Sequence, residues 1–372
     1  MNSDWIDKMN RLGRSGTPFF FAIDFEMRFP VIVPLSRMHG GFLLFNIQGR
    51  SNDYSRHHTV SANMSDNISL NPRFISRADY SRAFHLVQSE MKAGNSFLCN
   101  LTFPTLLEPD PTIRLRELYY RVHAPYRVYM NAERLPREFL QDPSAAAEEM
   151  PREFLLFSPE TFVQTHHGRI YTYPMKGTSL VPEGESLDRA EKTLLEDEKE
   201  RAEHITVVDL LRNDLGRVGR DIQVERFRYA DAIPVNGGRL IQISSRISAL
   251  LPGDWKRRLG DMTARLLPAG SVSGAPKRET CRIIAQAEGA PRGFYTGVCG
   301  IFDGYNLNSG VMIRYLERPG EKQPWGSSWN GDPGEPSAPL LFRSGGGITI
   351  YSNEADEYSE LQAKVKLPLE KR

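Results

Sequence analysis

Cysteine is scarce in this chain, whose 372 residues hold only Cys99, Cys281 and Cys299. An odd number with no short paired spacing supplies neither a disulfide framework nor a thiolate metal site, and it reads as a protein of a reducing compartment. An excess of charge of one sign is also missing, because 47 Lys plus Arg nearly cancel 46 Asp plus Glu. Such a surface has no global field to attract a polyanion, which argues against nucleic acid as a partner. Long hydrophobic runs are absent as well. The N-terminus reads MNSDWIDKMNRLG, and the first apolar run, Phe19 to Ile23, stops at Asp24, well short of a signal-peptide core or a membrane span. The expectation is a soluble, cytoplasmic protein with no membrane partner. Hydrophobic residues at 40% and charged residues at 25% fit a globular chain long enough to bury a sizeable core.

What is present reads as a mixture of strands and helices. The first hundred residues alternate short apolar runs, PFFFAIDF, PVIVPL and GGFLLFNI, with turn residues, a pattern of strands. Residues 79 to 93 carry apolar positions at helical spacing, with Gly94-Asn95 as a stop before FLCNLTF, another strand. The hexamer LPREFL at 135 to 140 returns as MPREFL at 150 to 155 across an Ala/Glu-rich stretch. One duplication is not a repeat architecture, and it reads as a surface insertion without catalytic weight. From Glu317 to Pro339 the chain is rich in Pro, Gly and Ser between VMIRYL and LLFRSGGGITIY, which predicts two strands joined by a mobile loop. No linker divides the chain, so one mixed domain is expected, heavy in antiparallel sheet with helices packed on it.

Two segments place acidic residues on helix faces. Residues 196 to 219 have apolar positions at 205, 208, 211, 215 and 218, with Gly219 as a stop, and Glu200 and Glu203 share one face. The segment NEADEYSELQAKVKLPLE predicts a second helix, halted at Pro368, on which Glu357, Glu360 and Lys364 share a face. Either face alone reads as solvated charge on an amphipathic helix. Should the two converge, their carboxylates would repel unless a hard cation sat between them, and oxygen ligands favour Mg²⁺ over zinc. Spacing does not show whether they converge.

From residue 157 onward the chain resembles a known family. FSPETFV (157 to 163), PMKGT (174 to 178), KERAEHITVVDLLRNDLGRV (199 to 218), AGSVSGAPK (269 to 277), RGFYTGVCG (292 to 300), MIRYL (312 to 316) and GGGITIYSNEADEYSELQAK (345 to 364) occur in the order found in the chorismate-utilising enzymes. The family includes component I of anthranilate synthase and of aminodeoxychorismate synthase, and the isochorismate and salicylate synthases. The resemblance implies an α/β fold of the α+β type: a single chorismate-binding domain with two large, mostly antiparallel sheets packed between helices. On that frame, residues 1–75 are expected as its N-terminal strand-rich part and 76–372 as the catalytic core, with the insertion at about 131–151 and the loop at about 317–339.

Site roles are likewise what the resemblance implies. Glu203 and Glu360 look like Mg²⁺ ligands, supported by Glu200 and Glu357, with the metal on the ring carboxylate of chorismate. Arg314 and Tyr295 look like the pair that grips the enolpyruvyl carboxylate, a task suited to a guanidinium with two parallel donors. Lys364 and the backbone N–H groups of Gly345 and Gly347 would complete the ring-carboxylate site, and Gly177 and Thr178 would line it beside Lys176. Glu160 stands at the position of the general acid that protonates the departing hydroxyl at ring carbon 4.

Three positions choose among products. A lysine that activates water in the isochorismate and salicylate synthases is replaced here by Leu98, which disfavours addition of water. Lys176 stands where aminodeoxychorismate synthases commonly have lysine and anthranilate synthases alanine. In the family mechanism this amine attacks ring carbon 2, the carbon-4 hydroxyl leaves, and ammonia then enters at carbon 4 as the lysine departs. A free lysine titrates near about 10.4, so the site is expected to lower that value or to deprotonate the amine. Gln242 replaces a histidine tied to pyruvate loss in anthranilate synthase, in keeping with a product that keeps its enolpyruvyl group. The expected reactants are chorismate and ammonia, the latter from a glutamine amidotransferase (component II), for which these residues carry no domain. Anthranilate synthase component I and a non-catalytic subunit that binds the amidotransferase are the alternatives. GVCGI at 297 to 301 lacks the final Gly of a nucleophile elbow, so Cys299 reads as a small packed residue, and GSVSGAPK lacks the ending of a phosphate-binding loop.

Overall fold

The run at Phe19–Ile23 sets the layering of the molecule. In the computed structural model, which describes residues 4–53, 71–108, 113–140, 142–182, 184, 186–235, 238–320 and 340–368, it forms β1 and is buried along its whole length. Successive strand residues point to opposite faces. Phe19, Phe21 and Ile23 accordingly enter one core, and Phe20 and Ala22 enter another. A sheet whose two faces are both covered is the consequence.

The remaining strands are β2 (Val31–Pro34), β3 (Leu43–Ile47), β4 (Arg50–Ser51), β5 (Asn71–Arg73), β6 (Leu98–Glu108), β7 (Tyr126–Asn131), β8 (Glu153–Ser158), β9 (Thr161–His166), β10 (Arg169–Thr172), β11 (Met175–Pro182), β12 (Arg220–Val235), β13 (Gly238–Leu250), β14 (Gly274–Ala275), β15 (Val298–Phe302), β16 (Leu307–Val311), β17 (Tyr315–Arg318) and β18 (Leu340–Ile348). The helices are α1 (Asp4–Ser15), α2 (Arg77–Lys92), α3 (Leu115–Tyr119), α4 (Pro143–Glu149), α5 (Leu187–Glu196), α6 (Glu198–Gly216), α7 (Leu259–Leu266), α8 (Lys277–Glu288) and α9 (Glu354–Ala363).

Among the described residues the strands make two nine-stranded sheets with antiparallel pairing. The first runs β11-β13-β10-β9-β16-β15-β1-β2 with β12 also on β13, and the second runs β14-β6-β18-β17-β8-β7-β3-β4 with β5 also on β6. Phe20, Val31, Val33, Phe45, Val128 and Phe154 fill the space between the sheets. The outer face of the first sheet is covered by α1, α6 and α7 through Trp5, Met9, Val208, Leu215, Leu259 and Met262. On the second sheet, α2, α8 and α9 bring Phe84, Val87, Ile283, Ile284 and Leu361 onto β6. Each such side chain contributes about 1.5–3 kcal/mol on burial. The α+β fold with two large antiparallel sheets between helices is what the motifs imply.

Four details differ from the sequence reading. The polar N-terminus is helical, and α1 buries only Trp5, Met9 and Gly13, one residue per turn. Gly13 is there for close approach, since a Cβ on it would stand 2.1 Å from the Lys256 carbonyl oxygen. The helix of the acidic segment, α6, begins at Glu198, and a separate helix, α5, precedes it. Asp197 ends α5 and caps α6, its side chain accepting from Glu200 N. Finally α6 stops at Gly216 rather than Gly219, and α9 stops at Ala363, before Pro368.

The two copies of the duplicated hexamer differ in structure. In the first, Arg137–Phe139 form a 3₁₀ turn, while Glu153, Phe154 and Leu155 of the second belong to β8. The insertion expected at about 131–151 is anchored, because Leu135, Phe139, Ala146 and Met150 are buried in the core between the sheets. Of the loop expected at about 317–339, Glu317 and Arg318 belong to β17, and residues 321–339 lie outside those described.

Candidate active site

Two helices deliver carboxylates to one place. Helix α6 starts at the Asp197 cap, which puts Glu200 in its first turn and Glu203 on the next turn of the same face. Helix α9 starts at Asn353, whose side chain accepts from Ala355 N and Asp356 N, with Glu357 in the first turn and Glu360 after it. The positive end of a helix favours carboxylates in its first turns. The faces do converge. A Cβ on Gly177 would stand 3.2 Å from Glu200 Oε2, and one on Gly346 would stand 3.3 Å from Glu357 Oε2 and 3.6 Å from Glu360 Oε1. Burial raises the Glu357 carboxyl above its ordinary value, and the charges of Glu360 and Glu203 raise it further, against the Ser352 hydroxyl it accepts from and the charge of Lys176.

Lys176 lies on β11 among these groups. Its Nζ is 2.6 Å from Glu203 Oε2, with side chains 30% and 14% exposed. Burial pulls the ammonium down, yet Glu203, together with Glu200 and Glu360, outweighs burial and leaves Lys176 above its ordinary value. The expectation that the site lowers it is therefore not met in this arrangement. The cause is the carboxylate in contact with the amine, which spacing along the chain could not reveal. Gly177 has φ +80°, a left-handed backbone that glycine adopts without strain. Thr178 follows in β11, opposite Gln242 of β13. Gln242 is buried, so the position holds a neutral amide rather than an imidazole.

The second sheet supplies the opposite wall. Asn100 N and Thr102 N of β6 donate to Ser273 O and to Glu288 Oε1, away from β18. Antiparallel ladders alternate hydrogen-bonded and non-bonded pairs, so Gly347 and Gly345, opposite these residues, turn their backbone groups to the other edge of β18. There the last β17 pair is Tyr315 with Arg343, short of both glycines. The Lys364 ammonium takes Gly345 O at 2.7 Å and Glu360 Oε1 at 2.6 Å. Leu98 Cδ1 is 3.3 Å from where a Cβ on Gly347 would be, so an aliphatic group occupies this end of the wall.

Arg314 donates from Nη1 to Lys364 O at 2.6 Å, while burial lowers its guanidinium against the charges of Tyr295 and Glu360. Its backbone is left-handed at φ 54°, a conformation costing on the order of 1–3 kcal/mol for a non-glycine residue, and its carbonyl is held by Phe157 N. Tyr295 is buried beside it, its phenol pushed up to about 12 by burial. Glu160 occupies the turn between β8 and β9. Its Oε1 accepts from Ser271 Oγ at 2.5 Å, and its carboxyl is raised by burial, against the Ser271 hydroxyl and the Lys364 charge. Lys176, Glu160, Arg314, Lys364, Gly345, Gly347 and the four glutamates thus surround one region.

The donors suit a hard cation, since all four are carboxylates and their mutual repulsion is visible at Glu357. Among the described residues no three acidic, His or Cys side chains are drawn to metal-binding distance. The two lysines stand on Glu203 and Glu360 instead.

Three features escaped the sequence reading. His204, next to Glu203 and 1% exposed, has Nε2 2.7 Å from Ser245 Oγ. Ser245 Oγ also accepts from Arg228 N at 2.9 Å, which fixes it beside the ring. Burial, then the charges of Arg228 and Lys176, depress the ring to about 4. The second is Ser271, which nothing in AGSVSGAPK marks. The third is a buried pair, Lys277 Nζ to Asp214 Oδ1 at 2.8 Å. A cation in the first turn of α8 opposes the helix dipole, and that mismatch was a readable sign of a specific partner.

Known proteins give the site its family. The model of the chorismate binding enzyme family matches residues 46–370. An uncharacterized PabA-like protein of Pasteurella multocida is 42% identical over 365 residues, covering 98% of both chains. Aminodeoxychorismate synthase component 1 of Klebsiella aerogenes is 29% identical over 300 residues, 78% of this chain and 57% of that one. The structure of the menaquinone-specific isochorismate synthase from Escherichia coli superposes with a TM-score of 0.60 at 16% identity, covering 98% of this chain and 90% of that one, a likeness of fold. Matched over most of its length, the chain belongs to the chorismate binding enzymes.

Proposed function

We propose that this protein is an aminodeoxychorismate synthase component I, which aminates chorismate at ring carbon 4 to give 4-amino-4-deoxychorismate, the precursor used for 4-aminobenzoate and folate. The observation that carries the reading is Lys176 on β11, its amine within the carboxylate cluster rather than in solvent. Leu98 beside Gly347 and the buried Gln242 support it, since neither side chain is a base.

The chemistry follows from the groups in place. Lys176 Nζ must first lose its proton to solvent, which requires that Glu203, the carboxylate holding it as an ammonium, be engaged elsewhere. The lone pair then attacks ring carbon 2, the two ring double bonds shift, and the C4–O bond breaks. Glu160, kept toward its neutral form by burial, gives its proton so that water leaves rather than hydroxide. Ammonia forms the new bond at carbon 4, the double bonds shift back, and the lysine leaves carbon 2. Arg314 and Tyr295 would hold the enolpyruvyl carboxylate, and Lys364 with the Gly345 and Gly347 N–H groups the ring carboxylate. Glu203 and Glu360, backed by Glu200 and Glu357, would hold Mg²⁺, which when bound supplies an electrostatic anchor for that carboxylate and offsets the charge that keeps Lys176 protonated. Ammonia would reach the site from a separate glutamine amidotransferase.

Incubation of the purified protein with chorismate, Mg²⁺ and an ammonium salt, followed chromatographically, tests the reading. The expected product is 4-amino-4-deoxychorismate. Anthranilate would replace it by the anthranilate synthase assignment, and unchanged chorismate would indicate a non-catalytic subunit. Lys176→Ala is expected to abolish amination or to reduce it severely, and undiminished turnover in that variant would sink the covalent route.

A further inference from the structure

We propose that Ser271 is the positioning residue of Glu160, fixing which carboxyl oxygen carries the proton to be delivered. The proposal rests on the reading of Glu160 as the general acid. Ser271 lies in the 3₁₀ turn Gly270–Val272, and its hydroxyl donates to Glu160 Oε1 at 2.5 Å. A carboxyl can hold its proton on either oxygen, and its terminal torsion is soft. With a hydroxyl donating to Oε1, that oxygen is the acceptor and the proton resides on Oε2. Removing the hydroxyl would let the proton spread over both oxygens and the carboxyl plane swing, so fewer encounters with the leaving oxygen would be productive.

The turn that carries Ser271 is clamped. Gly270 sits against α6 so closely that a Cβ there would be 2.7 Å from Asp214 Oδ2 and 3.1 Å from Leu210 Cγ. Asp214 is in turn bound by Lys277 Nζ, which also donates to Leu266 O at 2.8 Å. The buried pair therefore joins α6, the end of α7 and the start of α8 around this turn. Ser273 Oγ donates to Ala269 O at 2.8 Å and closes the turn from its other side. Because α6 also carries Glu200 and Glu203, the clamp sets the acid and the Lys176 cluster at a fixed distance from each other.

The surroundings of Glu160 give the proposal a pH signature. Ser271 favours the ionised carboxyl, as does Lys364 of α9, and burial opposes both. Asp214 of α6 and Tyr173 border the small cavity beside Glu160, whose volume of about 20 Å³ accommodates roughly one water. Removal of the Ser271 hydroxyl should therefore leave Glu160 protonated to higher pH while making its proton transfer less effective.

The test is the pH profile of kcat for amination of chorismate with ammonium salt and Mg²⁺, for wild type, Ser271→Ala, Ser271→Thr and Glu160→Gln. Ser271→Ala is expected to lower kcat about tenfold, as for loss of a hydrogen bond to a charged group, to leave KM for chorismate nearly unchanged, and to move the alkaline limb to higher pH. Ser271→Thr, which keeps the hydroxyl, is expected to restore both. A Ser271→Ala profile that superimposes on wild type while Glu160→Gln is inactive overturns the positioning role alone, and so does a threonine variant that behaves as alanine. Wild-type turnover in Glu160→Gln, or a wild-type protein that leaves chorismate unchanged, overturns the reading of Glu160 and the proposal with it.

Discussion

Replacing Lys277 by Met should be among the most damaging single changes outside the candidate site. The Lys277 and Asp214 side chains are 8% and 6% exposed, with a contact of 2.8 Å. Burial pushes the Asp214 carboxyl up and the Lys277 ammonium down, so desolvation outweighs the attraction between them at both ends. A pair of this kind adds little net stability, yet removing one partner leaves a buried charge without its counterion, at a cost of about 3–5 kcal/mol. Against a total of roughly 5–15 kcal/mol for a folded domain, that is a large fraction. The double variant Asp214→Leu/Lys277→Met leaves no charge behind and should recover most of the loss or exceed wild type by about 1–4 kcal/mol. Urea unfolding followed by far-UV circular dichroism gives both midpoints and slopes, and the two single variants close the double-mutant cycle. The sign of the pH dependence is fixed too. A carboxyl whose folded pKa is raised contributes stability that is full below the unfolded value and is lost as pH rises through the folded one. The Lys277→Met deficit should therefore be largest near neutral pH and shrink on acidification as Asp214 takes up a proton. A Lys277→Met protein within about 1 kcal/mol of wild type at neutral pH, or a double variant less stable than that single one, would refute the reasoning.

Two further outcomes are expected. With His204 depressed to about 4 in the folded protein against 6.5 ordinarily, the unfolded chain takes up the proton first on acidification. The stability this gives is present above the unfolded value and lost as pH falls toward the folded one, amounting to roughly 3 kcal/mol. His204→Gln should remove that part of the acid sensitivity, as read from urea midpoints at neutral pH and near about pH 4; an unaltered pH slope would contradict the buried neutral imidazole. Isothermal titration with Mg²⁺ should show binding to wild type that Glu203→Gln and Glu360→Gln each weaken by at least about tenfold. Affinity unchanged in both variants would remove these residues from the cation site.

Local pattern was legible where burial was one-sided or complete. The run PFFFAI announced a strand because a buried sheet demands it, and α2 showed its period because one face packs on β6 while the other meets water. Where burial is thin the signal fades. Helix α1 buries Trp5, Met9 and Gly13, of which the glycine carries no apolar mark, and α5 buries nothing among its described residues. The repeated hexamer is the sharper case, since its Glu-Phe pair lies in a 3₁₀ turn at 138–139 and at 153–154 in a strand paired to β7 and β17. Local sequence there is overruled by neighbours distant along the chain. The same limit governs the site. Spacing put Glu200 with Glu203, and Glu357 with Glu360 and Lys364, on shared faces, but only the packing of α6 and α9 against the two sheets turns those faces toward each other.

That convergence also reverses the problem first posed for Lys176. An isolated lysine needs burial to become a nucleophile, whereas this one is partly buried and still held as an ammonium by Glu203. In the proposed roles the reaction needs Lys176 neutral and Glu160 protonated at once. Both groups have raised affinities for a proton, but only for Glu160 does this serve the chemistry. The difference is one of neighbours. Glu160 sits among a hydroxyl, a lysine and largely apolar walls with Asp214 at their border, and burial dominates. Lys176 sits on a carboxylate, so the Coulomb attraction dominates. Only an event that takes Glu203 off Nζ brings both groups to their working forms together. Proton affinity at Lys176 is thus a property of what else Glu203 binds, and the turnover of the enzyme should follow that competition more closely than the bulk pH.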